Sequence, residues 1–264
     1  MKHYLMIAAS LTATLTAGAV ASPSASAAGT LPALYECAKV KKNGATKKYE
    51  GAYEKGCVTK NAKGEGKYEI KEGFGKGKVF KAKGGGANLN IPIGGIDCLK
   101  SSAVGRFTST TTGDATATFE DCEFNGKKCN SAGAASGTIV TDPLVAVVGY
   151  LKGQETLSSQ VGAAFSAESG EVLAAFDCGA DDFAVTGSVI GEVTPINKFS
   201  KEAVFAFRQK AVGVQEWESF EGGLNQHLTA HLCEDCENPL VNRGTAASEE
   251  LEIKAKTEEL ELRA

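Results

Sequence analysis

The stretch "ATATFEDCEFNGKKC", Ala115 to Cys129, carries two fold signals in a short span. Ala115, Ala117 and Phe119 alternate with Thr116 and Thr118, so one face is apolar and the other polar. A period of two belongs to a half-buried strand. Asn125-Gly126 then marks a two-residue hairpin turn, because a type I′ turn needs positive φ at both central positions. Folding about that turn sets Phe124 opposite Lys127, Glu123 opposite Lys128 and Cys122 opposite Cys129. Directly opposed residues lie about 4.5–5.5 Å apart at Cα, within disulfide reach. The stretch thus reads as an antiparallel hairpin closed by a Cys122–Cys129 bond, with Glu123–Lys128 adding a small favourable term.

The same period recurs along the chain. Phe183, Val185 and Val189 share a face in "FAVTGSVIGEV", and "AVFAF" (Ala203–Phe207) and "VQEWESF" (Val214–Phe220) alternate or carry strand-forming residues. "PLVAVVGYL" (Pro143–Leu151) is continuously apolar, which fits a fully buried strand or a short core helix. Gly-rich breaks, drawn from 31 glycines, fall every ten or so residues. The expected fold is all-β, a mainly antiparallel sandwich or barrel-like body. Gly84-Gly85-Gly86 reads as a seam. It divides a small basic N-terminal β module, 28–83, from a main β domain, 84–248, which a charged C-terminal strand or tail, 249–264, follows.

The first residues have the layout of a secretory signal peptide: Lys2 and His3, an apolar run from Leu5 to Val20, and the small-x-small site Ala25-Ser26-Ala27. Residues 1–27 are read as removed on export. No later run is apolar enough to span a bilayer. The expected location is therefore secreted, extracellular or in the cell envelope. Charge is unevenly spread. Leu31–Lys83 holds 14 Lys against 6 Glu, and Gly84–Ala264 holds 13 Lys plus Arg against 26 Asp plus Glu. The basic front could contact a polyanion such as a cell-wall polymer. Sparse aromatic stacking partners argue against specific nucleic acid. Lysines that merely blunt strand edges are the bland alternative.

Eight cysteines in an exported chain imply disulfides. Cys37 and Cys57 alone precede the glycine seam and would staple the basic module, contributing about 3 kcal/mol. Cys98 and Cys178 then pair by exclusion. Both histidines of the exported chain and the last two cysteines lie in "HLTAHLCEDC", His227–Cys236. The preferred reading is a strand leading into a loop stapled by Cys233–Cys236. The alternative is zinc held by His231, Cys233 and Cys236, with His227 as a further candidate. Acidic neighbours make a reactive redox pair a poor fit. No Gly-x-Ser-x-Gly, HExxH, P-loop or dinucleotide-type glycine pattern occurs. Asp177, Asp181 and Asp182 could bind calcium or serve a carbohydrate-active hydrolase, though acidic pairs at turns are more often solvated. No cofactor is required by the sequence.

Taken in order, "FEDCEFNGKKCNSAGAASGTIVTDPLVAVVGYL", "VLAAFDCG", "VTGSVIGEVTPIN" and "WESFEGG", with "YEC" and "GKYE" at the front, resemble a family of uncharacterised exported proteins from actinobacterial soil lineages. The resemblance spans most of the exported chain. It implies export and a β-rich, disulfide-bonded body, and it supplies no catalytic residue. The expected role is a non-catalytic binding or structural component outside the cytoplasm. A carboxylate-based hydrolase and a metal-binding protein are the alternatives.

Overall fold

The computed structural model describes residues 31–73, 78–154, 156, 158–223, 225–233 and 244–264. The expected signal segment, 1–27, and Cys236 lie outside the described residues. The described elements are all strands. They are β1 (Ala33–Lys39), β2 (Tyr68–Glu72), β3 (Val79–Ile91), β4 (Gly94–Cys98), β5 (Lys100–Phe107), β6 (Thr112–Glu120), β7 (Glu123–Phe124), β8 (Lys127–Asn130) and β9 (Thr138–Val140). There follow β10 (Leu144–Lys152), β11 (Gln160–Ala167), β12 (Val172–Cys178), β13 (Asp181–Thr194), β14 (Ser200–Phe207), β15 (Gln209–Ala211), β16 (Val214–Gln215), β17 (Leu228–Cys233) and β18 (Gly244–Arg263). Among the described residues no helix is long and apolar enough to cross a membrane.

The strand pairing closes on itself. One circuit runs β3-β5-β6-β10-β11-β13-β14-β18 and back to β3. A second runs β3-β4-β7-β8-β12-β13-β17-β18. The long strands β3, β13 and β18 belong to both, so the circuits are the two ends of one barrel-like wall. It is not a clean barrel, because most of the other staves change from one short strand to another partway along. All pairings between named strands are antiparallel, as expected for an all-β chain with frequent turns.

The glycine triplet lies inside β3 and is no linker. Leu251 pairs with Ala87 and Ile253 with Gly84, so β3 has one residue more than β18 across this interval. This is a bulge. It marks the point where β5, paired up to Gly84, gives way to β4, paired from Ala87. Glycine is required at position 84, where a Cβ would press on Ser101 Oγ and lie 2.6 Å from the Glu252 carbonyl oxygen. The basic module therefore ends before β3. It consists of β1, β2 and their connecting loop, held to the body where Ala33–Glu36 pairs with Leu260–Arg263.

"PLVAVVGYL" forms strand β10, and its continuous apolarity has a cause. Ala146 and Val148 face the interior. On the outer side, Trp217 and Phe220 pack against buried Leu151, Ala164 and Ile190. A Cβ at Gly149 would run into the Phe220 ring. Both faces are thus covered. Trp217 and Phe220 are free to do this because only Val214 and Gln215 of the expected strand "VQEWESF" pair.

The hairpin at Asn125-Gly126 forms with the expected register, Phe124 with Lys127 and Glu123 with Lys128. The Glu123–Lys128 ion pair is present at 2.8 Å. Cys37 bonds Cys57 as expected. The expected Cys122–Cys129 and Cys98–Cys178 bonds do not form. The bonds are Cys98–Cys122 and Cys129–Cys178. The reason lies in the ladder geometry. Cys122 and Cys129 meet on the hydrogen-bonding edge of the hairpin: the Cys129 N–H donates to the Cys122 carbonyl at 3.0 Å, and the Cys122 N–H donates to the Gly137 carbonyl at 2.9 Å. A strand residue directs its N–H and C=O to one side, so each of these cysteines meets its other neighbour at a non-hydrogen-bonded position. Those positions bring Cα atoms closer. Continuing the β4–β7 register sets Cys98 against Cys122, and Cys178 is directly opposite Cys129. The Cα separations are 3.9 and 4.1 Å. Four cysteines therefore lie in a row, Cys98 on β4, Cys122 just before β7, Cys129 on β8 and Cys178 on β12, bonded in two adjacent pairs.

Candidate functional site

Among the described residues, the wall borders two apolar cavities. The larger, about 140 Å³, lies at the cysteine end. Its walls include the predicted inward face Ala115, Ala117 and Phe119, together with Ala103, Ala174 and Leu228. The smaller, about 70 Å³, lies at the end carrying the basic module and is lined by Leu34, Phe80, Phe107, Val193 and Leu260 among others. Phe165 on β11 borders both. Its ring packs edge-on against Phe205 at 6.0 Å and tilted against Phe207 at 5.8 Å. An eight-strand ring is just wide enough for side chains to fill, or for one small ligand where they do not. Here the larger cavity exists because alanines on β5, β6 and β12 stop short of the axis.

Glu249 lines this cavity. Along β18, Leu251, Ile253 and Ala255 are buried while Glu252, Lys254 and Lys256 are exposed, and Glu249 has the parity of the buried set. Its backbone lies where one neighbouring stave changes from β17, paired up to Ala247, to β14, paired from Leu251. Gln215 fills that gap. Its side-chain oxygen accepts from the Glu249 N–H at 2.9 Å, and its nitrogen donates to the Glu249 and Arg208 carbonyls at 3.2 and 3.1 Å. Glu249 is half-buried, and desolvation is the cause that pushes its carboxyl up to about 7 from 4.5.

A shallower groove of about 390 Å³ runs along the outer surface past Trp217, Phe220, Glu216, Glu218 and Glu221. Its carboxylates are committed to neighbours. Glu221 accepts from the N–H groups of Gly153 and Gln154, Glu216 is 3.7 Å from Arg208, and Glu218 is 3.5 Å from His227.

Among the described residues, those singled out from sequence do not converge. His231 lies on β17 with Nε2 3.1 Å from Thr186 Oγ1, whereas His227 meets Glu218. The strand reading of "HLTAHLC" holds, with Leu228 and Ala230 buried and Leu232 exposed. The Cys233–Cys236 link and the alternative zinc set both need Cys236, which lies outside the described residues. Among the described residues no group of three His, Cys, Asp or Glu side chains is placed to hold a metal ion. Asp177 accepts from Asn130, Asp181 pairs with Lys127 at 3.3 Å, and Asp182 lies across the ladder from Asp177. None of the three lines the cavities or the groove. Glu249, which the sequence reading passed over, was marked there by parity: it continues the alternation of "ELEIKAK" inward.

Fold and bonding define a disulfide-bonded, antiparallel β protein with a closed wall. No protein-family model matches the chain, and no curated protein or solved structure matches it at a significant level. Residue roles therefore come from the geometry alone.

Proposed function

We propose that this chain is an exported, non-catalytic binding protein whose ligand compartment is the interior at the cysteine end. One observation carries the reading: a closed, cross-linked wall surrounds an apolar cavity of about 140 Å³ lined by alanines. Cores normally pack without such voids, so the space is a cost to stability that a bound apolar molecule would offset. Export fits three disulfides, which persist outside the reducing cytoplasm. In the same reading the basic module provides contact with a polyanion such as a cell-wall polymer.

The test is thermal denaturation of the oxidised protein with and without toluene. Toluene is expected to raise the midpoint, because a ligand that binds only the folded state stabilises it. Ala117→Leu, which fills the cavity, should abolish that rise. No shift in the wild-type protein would remove the compartment reading. The outer groove, with its aromatics and carboxylates, keeps a carboxylate-based hydrolase as the second reading. Turnover of aryl glycosides that is lost in Glu218→Gln would promote it.

A further inference from the structure

Glu249 sets the chemistry of the cavity. It is the one titratable side chain among the described residues that line it. No hydrogen bond or ion pair reaches its carboxyl among the described residues, and desolvation is the only influence on its proton affinity. Asp97 on β4 and Glu250, next to Glu249 on β18, are both exposed. Of the other polar residues at the wall, the Thr141 hydroxyl accepts from the Ala117 N–H at 3.0 Å, whereas Asn88 donates through its amide nitrogen to Asp97 and keeps a buried, unpartnered Oδ1, a second acceptor at the wall.

We propose that the cavity binds a small apolar amine, with its ammonium against the Glu249 carboxylate and its hydrocarbon body against the alanine wall. The proposal rests on the reading of the interior as a ligand compartment and adds the ligand's class. Size limits the body. A cavity of about 150 Å³ accepts benzene, so 140 Å³ holds a single ring or a chain of similar bulk. Charge selects the head. A lone carboxylate in apolar surroundings is costly, and a cation beside it relieves that cost. An ammonium forms a charge-assisted hydrogen bond, which is stronger than the neutral one an alcohol would form. A ligand carboxylate would set two like charges together.

The experiment is calorimetric titration of the oxidised protein with benzylamine, benzyl alcohol and toluene at pH 8, in wild type and Glu249→Gln. Wild type is expected to bind benzylamine at least tenfold more tightly than benzyl alcohol. Glu249→Gln should erase that preference and leave toluene binding unchanged. Equal affinity of wild type for benzylamine and benzyl alcohol overturns the amine proposal, and this comparison needs no variant. A preference that survives Glu249→Gln overturns it as well. Binding of toluene in either case leaves the compartment reading standing. Failure of all three probes to bind removes both.

Discussion

Glu249 shows how strand parity places a charge where composition would not. Its neighbours Ser248 and Glu250 turn away from the interior, and Gln215 ties its backbone in place. The raised carboxyl has a consequence for stability. Below pH 4.5 the group is protonated both folded and unfolded. Between 4.5 and about 7 the unfolded chain ionises while the folded chain keeps its proton, so stability falls as pH rises. Above 7 the difference is constant. The interval from 4.5 to about 7 corresponds to roughly 3 kcal/mol at 1.36 kcal/mol per unit. Glu249→Gln removes this dependence. Urea denaturation from pH 4 to pH 8 should therefore show wild type losing up to that amount relative to the variant. Parallel curves for the two proteins would show that the carboxyl is solvated.

At the scale of elements, the row Cys98, Cys122, Cys129 and Cys178 separates what was legible in the sequence from what was not. The hairpin register could be read from Asn125-Gly126, and it is the register found. The bonding could not, because each cysteine's choice depends on the strand across its other edge, and β4 and β12 are brought there by tertiary closure. Peptide mapping of unreduced protein should recover Cys98 linked to Cys122 and Cys129 linked to Cys178. A Cys122–Cys129 peptide would overturn the alternation argument. The glycine triplet teaches the same lesson. Consecutive glycines suit a linker and a bulge equally, and only the pairing of β18 along β3 decides between them. Gly84 and Gly85 provide the test. Gly84→Ala forces a Cβ against Ser101 and the Glu252 carbonyl and should cost about 2 kcal/mol. At Gly85 nothing lies within 4 Å of such a Cβ, so Gly85→Ala should change stability by less than about 0.5 kcal/mol. Equal losses in chemical denaturation would show that the bulge is absent.

For the whole molecule, alternation along "ATATFE", "FAVTGSVIGEV" and "AVFAF" was enough to give an all-β chain with an inward face. Which of the two expected forms the sheet takes, sandwich or barrel-like wall, was not legible, since closure depends on pairings between β3 and β18 and between β11 and β13, far apart in sequence. Nor does a run of alanines announce that facing strands leave space between them. The charge division is legible at both levels. Lys39, Lys41, Lys42, Lys47, Lys48, Lys55, Lys60, Lys63, Lys67 and Lys71 are all exposed on the module that β1 fastens to the end of β18. Lys42 and Lys67 flank the Tyr49 ring at 5.4 and 5.7 Å, which fixes two cations beside an aromatic face. Few of these lysines are neutralised, Lys48 with Glu65 being one that is. In the proposed reading such a surface would attract polyanions through many weak contacts, which salt screens within about 10 Å at 0.1 M. The oxidised protein should therefore be retained on immobilised polyphosphate at low ionic strength despite its net charge of −4. Sodium chloride near 0.3 M should release it. Replacing Lys42 and Lys67 with Glu should lower the salt needed for release, while toluene binding inside the wall stays as in wild type. Retention unaffected by both salt and the double replacement would mean that the contact is not electrostatic, and the lysines would then serve only to keep the short strands of the module soluble.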